Sequence, residues 1–303
     1  MQSYSFAHRL LAIVLALHIA LPFPLWAQNE RIRLPDLGAT AGSIIPLAVE
    51  RAYARSLIHQ MREAGVLVED PQVSAFFSDM GFRLASHSDD ASRRYYFVVI
   101  DQHNINAFAA PGGVIALHSG LILTAENESE VAGVVGHEIA HITQQHTARA
   151  FESARNLSIP LLLAMLGLIV AGGGSGEAAQ AAVVGTQAAS LQAQINFTRQ
   201  NEYEADRIGI STLAAAGYRP EGMASFFDKL NRVHRGLSTR VPEYLRTHPI
   251  TTTRIAEAKN RAANMPPSSF VETIDFYLMQ SRLRAMLEDK PEQAIRMFRN
   301  ALE

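Results

Sequence analysis

The chain has no cysteine, only three lysines and a single tryptophan among 303 residues. Without cysteine there can be no disulfide framework, no thiolate metal ligand and no cysteine nucleophile. Any metal must therefore be held by His, Asp or Glu. The formal net charge is −2, so the basic excess that marks a nucleic-acid partner is missing, and none is expected. Long apolar runs are also lacking. The two longest, Leu10 to Leu21 and Leu157 to Ala171, fall short of the ~20 residues a spanning helix requires.

The first 27 residues have the layout of an export signal. His8 and Arg9 open it, the Leu10–Leu21 run follows, Pro22 and Pro24 stop any helix, and Ala27 offers a small residue for cleavage. An uncleaved anchor is the alternative. Absence of cysteine suits export, because no thiol is left to be mis-oxidised.

Periodicity then predicts helices over Ile44 to Ala64 and Pro71 to Ser86, with Pro71 in the first turn of the second. Arg94 to Asp101 (RRYYFVVID from Arg93) is aromatic and β-branched, as strands are. Asn106 to Leu123 reads as two extended pieces broken at Pro111-Gly112-Gly113, with a further turn near Ser119-Gly120. The expected fold class is thus α+β, mostly helical, with a small antiparallel sheet. Asn127 and Glu130 have capping-box spacing, which starts a helix running to about Arg149. Further helices are expected over Glu202 to Ala216 and from Pro220 onward, and a loop from Pro242 leads into another.

The chemistry concentrates in His137-Glu138-Ile139-Ala140-His141. Two histidines four apart share a helix face, so both rings can reach one ion, and Glu138 is placed to touch water on that ion. Glycines at 133 and 136 weaken the helix by about 1 kcal/mol each, which close approach of another backbone would explain. A third ligand is needed. His146, nine positions from His137 on a continuous helix, faces away. Asn201-Glu202-Tyr203-Glu204-Ala205-Asp206 serves better: Glu202 and Asp206 share a face, so Glu202 can ligate while Asp206 accepts a hydrogen bond from a ligand ring. Glu204 points elsewhere.

These two motifs together resemble the HtpX-like and BepA-like gluzincin metallopeptidases. Asn106 to Gly113 and Thr247-His248-Pro249 with Arg254 are similar to two further blocks of that family, so the likeness covers residues 45 to about 262. The exported type with tetratricopeptide repeats is the nearer relative, since the membrane spans of the HtpX type are lacking. The resemblance implies a zinc-dependent endopeptidase, one Zn2+ per chain, working in the periplasm. His137, His141 and Glu202 would be ligands, Glu138 the base and Asp206 the support of a ligand ring. His248 would either stabilise the oxyanion or fill the open coordination position at rest. Implied substrates are misfolded or stalled outer-membrane proteins, and implied partners their assembly machinery.

The hairpin arm around Ala109 to Leu117, with Ala109, Gly112, Gly113 and Val114 as the expected contacts, offers an edge to which an extended substrate can add as a strand, or else is an ordinary buried hairpin. Leu157 to Ala171 is a buried or cleft-covering helix, or a peripheral membrane contact. The expected division is a signal at 1–27, a metallopeptidase domain at 28–265 and a helical extension at 266–303, the start of a tetratricopeptide array or a helix packed on the protease. The rival reading is a chaperone or adaptor whose zinc site is structural. Such a site needs no base beside it, and Glu138 speaks against it.

Overall fold

The computed structural model describes residues 46–150, 198–236, 242–288 and 290–300. The expected signal (1–27) and the apolar stretch Leu157 to Ala171 lie outside the described residues. Helix α1 covers Leu47–Glu63 and α2 covers Pro71–Ala85. Asp70 caps α2, its side chain accepting from the amides of Gln72 and Val73, while Pro71 occupies a first-turn place where no amide is needed.

Three strands follow: β1 (Tyr96–Ile100), β2 (Ala107–Ala110) and β3 (Val114–His118), in the order β1-β3-β2. The sheet is as small as expected, but it is mixed rather than antiparallel. β2 and β3 form the hairpin, turning at Gly112 and Gly113 with φ of 82° and 88°, a region that glycine enters without steric cost. β1 pairs with β3 instead of with its chain neighbour, Tyr96 opposite Val114, and skipping that strand makes the pair parallel. Central β3 is buried at every residue, as a strand covered on both faces must be. Residues 119–124, expected to be extended after a turn, instead form a short helix α3 (Ser119–Thr124).

Helix α4 (Glu128–Thr143) runs through the middle of the molecule, starting at Asn127, whose side chain accepts from the Glu130 amide. It is followed by α5 (198–215), α6 (Glu221–Gly236), α7 (Glu243–Thr247), α8 (Thr252–Ala263), α9 (Ile274–Met286) and α10 (Pro291–Asn300). The two glycines of α4 are where other helices come closest. A Cβ on Gly133 would lie 2.8 Å from the Met223 backbone of α6, and one on Gly136 would lie 3.0 Å from the Gly209 carbonyl of α5. Phe77, Val131, Val135, Ile139, Phe226 and Phe227 form one core around α4. Each such side chain contributes about 1.5–3 kcal/mol by leaving water.

Helix α9, within the segment expected as an extension, packs against that same core through fully buried Phe276 and Leu283. Gln280 donates to the carbonyls of Ile122 and Ala125, and Arg282 forks onto Asp70 at 2.6 and 2.9 Å. Among the described residues, no helix is long and apolar enough to cross a membrane.

Candidate metal centre

Three separate pieces of chain bring their donors to one point. Helix α4 supplies His137 and His141, α5 supplies Glu202, and the residue ending α7 supplies His248. The ligand atoms of these four all lie within 4.8 Å of one another. His137 Nε2 is 3.0 Å from His141 Nε2 and 3.4 Å from His248 Nδ1. The Glu202 carboxylate lies 3.5 Å from His137, 3.4 Å from His141 and 3.1 Å from His248. Four donors placed about 2.0–2.1 Å from one ion at the corners of a tetrahedron stand about 3.3–3.4 Å apart, so these edges fit a single small divalent cation.

Behind the donors lies a layer that fixes them. Asp206, one turn along α5 from Glu202, places Oδ1 3.0 Å from His137 Nδ1. Arg254 at the start of α8 is 1% exposed and grips both acids. Its Nε and Nη2 donate to Asp206, each at 2.7 Å, and Nη1 reaches Glu202 at 2.9 Å and the Pro249 carbonyl at 2.8 Å. Phe227 closes the stack from the other side, 5.1 Å from the guanidinium.

The charges of the pocket answer one another. Burial pushes the Asp206 and Glu202 carboxyls up, but Arg254 and His137 for one, and His248 and His137 for the other, hold both below the usual carboxylate range. Burial likewise pushes His137 down, yet its two acids outweigh that and raise it to about 9. His141 is pushed well down by burial and by the neighbouring His137, so it is a neutral ring with a free lone pair. The Glu202 carboxylate and the neutral His141 ring thus turn lone pairs toward the point where the four donors meet.

Glu138 is different. It is 1% exposed and neither carboxylate oxygen has a hydrogen-bond partner; His248 Nε2 lies 3.6 Å away. A buried carboxylate left without donors is costly, so its place invites a chemical explanation.

The positions expected to touch substrate separate into two groups. Ala109 lies on β2, an edge strand, and Gly112 lines a cleft that also meets His141, Ile142, Glu50 and Arg93. Gly113 and Val114 lie behind it: a Cβ on Gly113 would strike the Arg94 carbonyl, and Val114 is wholly buried in the central strand. Val114 lies on β3, which already has a strand on each side, and Gly113 lies in the turn before it.

Sequence reasoning also set aside two residues that the fold brings in. Helix α4 ends at Thr143, Gln145 turns with φ of 53°, and helical backbone resumes at 146. That break, which costs about 1 kcal/mol for a non-glycine residue, swings His146 back against His141, Nδ1 to Nδ1 at 2.8 Å. His146 Nε2 in turn meets Glu204 at 3.0 Å. No Gly or Pro marks the break, so spacing alone gave no sign of it. Tyr244 was likewise missed: fully buried, stacked on His248 at 4.7 Å, its hydroxyl has no partner.

Comparison with known proteins agrees with this geometry. Residues 69–262 match Peptidase family M48. The beta-barrel assembly-enhancing protease of Escherichia coli K12 is 38% identical over 274 residues, covering 90% of this chain and 56% of that protein. The protein of the same name in Yersinia pestis is 37% identical over 253 residues, or 84% of this chain and 52% of that one. The mitochondrial metalloendopeptidase OMA1 of Arabidopsis thaliana is 32% identical over 152 residues, half of this chain and 28% of that protein. The chain therefore spans about half the length of its beta-barrel assembly-enhancing relatives. Carrying the His/Glu donor cluster of a metalloprotease inside the matched segment, it belongs to peptidase family M48.

Proposed function

We propose that the protein is a zinc endopeptidase that cleaves extended, unfolded segments of misassembled outer-membrane proteins in the periplasm. The observation that carries this reading is Glu138, a buried carboxylate without a partner, one residue along from a metal-ligand position. Zinc suits a donor set of neutral imidazoles and one carboxylate in a tetrahedron, with His137, His141 and Glu202 holding it. When bound, the ion supplies Lewis acidity, acidifying water and polarising a carbonyl.

Glu138 then takes a proton from the attacking water and returns it to the leaving amine. Asp206 and Arg254 keep His137 and Glu202 aimed while this happens. The edge of β2 at Ala109, with Gly112 beside the cleft, receives the peptide as an added strand, which favours unfolded chain over any one sequence. His248, whose Nδ1 stands 3.1 Å from Glu202, would hold the ion at rest beside the other three residues. The names of the longer relatives support a partner in outer-membrane assembly, and the signal-like residues 1–27 support export.

Casein digestion tests the core of this. The wild type should cleave, a chelator should stop it, and Glu138→Gln should lower the rate at least about 100-fold while leaving bound zinc unchanged. Cleavage that survives Glu138→Gln would count against Glu138 as the base, whereas a wild type that does not cleave would favour the adaptor reading with a structural zinc. His248→Ala should raise the basal rate by opening the fourth corner; an unchanged rate removes His248 from the mechanism.

A further inference from the structure

Each ring of a metal-ligand histidine has a second nitrogen, and what that nitrogen touches decides whether the first one can ligate. In His137, Nδ1 lies 3.0 Å from the Asp206 carboxylate and Nε2 faces the other donors. His141 has no carboxylate in that place. Its Nδ1 meets another imidazole, His146 Nδ1, at 2.8 Å, the two ring planes inclined by 78°. The far nitrogen of His146 meets Glu204 Oε2 at 3.0 Å, and Arg149 Nη1 donates to that same oxygen at 2.9 Å.

One arrangement of protons satisfies the whole chain. Glu204 accepts from His146 Nε2–H, His146 Nδ1 accepts from His141 Nδ1–H, and His141 Nε2 is left bare toward Glu202 and His137. We infer that His146 and Glu204 are positioning residues of the metal centre, a relay that fixes the tautomer and tilt of His141 as Asp206 fixes those of His137. This rests on the zinc reading of the site. The local fold is shaped to the purpose: His146 reaches His141 only because Gln145 turns the chain with φ of 53°, and its side chain is 4% exposed. On an unbroken helix it would face the other way. The two supports also differ in reach. Asp206 touches its ring directly, whereas Glu204 acts through an imidazole, so His146 should matter more than Glu204.

The test is zinc affinity, measured on the purified protein by competition with a chromogenic chelator. His146→Ala should weaken binding about 10–100-fold, the usual cost of losing a partner behind a ligand. Glu204→Ala should weaken it less, about threefold to tenfold. His146→Asn, whose amide oxygen can accept from His141 Nδ1–H, should recover most of the loss. A residue with a merely structural role would shift the melting temperature of the metal-free protein and leave zinc affinity alone. Should His146→Ala misfold, Glu204→Ala decides, since that side chain is 29% exposed. Wild-type affinity in these variants overturns the relay while the zinc site stands. A wild-type protein that takes up no zinc overturns the site and the relay together.

Discussion

The two ends of helix α4 bury charge in opposite ways. At its N-terminal end every acid is answered. Glu130 accepts from Ser225 at 2.6 Å, Lys229 at 2.7 Å and the Glu126 amide at 2.8 Å. Glu128 accepts from Tyr218 at 3.0 Å and Thr273 at 3.2 Å. Two turns further on, Glu138 is buried as deeply with no donor at all, and the His137 and His141 rings meet nitrogen to nitrogen. A completed network fastens helices together; an incomplete one keeps its lone pairs for something that arrives later. Burial alone would not distinguish the two ends. Counting partners does.

Four measurements would break or sharpen that contrast. Lys229→Met strands the Glu130 charge and should cost about 3–5 kcal/mol in urea unfolding, with zinc affinity unchanged. If zinc binding falls with it, the two ends are one unit after all. Gly133→Ala drives a methyl into the Met223 backbone and should cost about 1–3 kcal/mol. At the other end, Glu138→Gln should change the stability of the metal-free protein by no more than about 1 kcal/mol, because neither Glu138 oxygen accepts a hydrogen bond. A larger fall in melting temperature would mean that Glu138 has a structural partner.

The smallest effect is a control away from both ends. Arg282, together with the Val73 amide, holds the Asp70 carboxyl at about 2 instead of the ordinary 3.8. A folded value below the unfolded one means stability that is complete above about pH 4 and lost as pH falls toward 2. Asp70→Asn should flatten that acid slope in urea midpoints measured between pH 2 and 5, with no change in zinc uptake.

What could be read beforehand was local. The capped start of α4 at Asn127, the helix opened by Pro71, the strand of Tyr96 and the turn at Gly112-Gly113 all rest on a residue acting on its near neighbours. His137 and His141 were legible from their spacing on one helix face and Glu202 from the face it shares with Asp206, whereas His248 was legible only through the family resemblance. The parallel pairing of β1 with β3 was not legible, since strand order depends on contacts between distant segments. The role of Arg254 was hidden for the same reason: it joins Glu202 and Asp206 across 52 and 48 positions, and only the packed fold brings it there. His146 was misplaced for a smaller reason, one glutamine in a conformation usually left to glycine.

Arg254 has one more effect. Because a single side chain contacts both Glu202 and Asp206, the donor cluster is tied together by the protein's own hydrogen bonds. The protein should therefore fold without metal, unlike small domains that unravel when stripped. Dialysis against a strong chelator should leave its circular dichroism intact, and adding zinc back should revive it within a mixing time, as a socket accepts a plug.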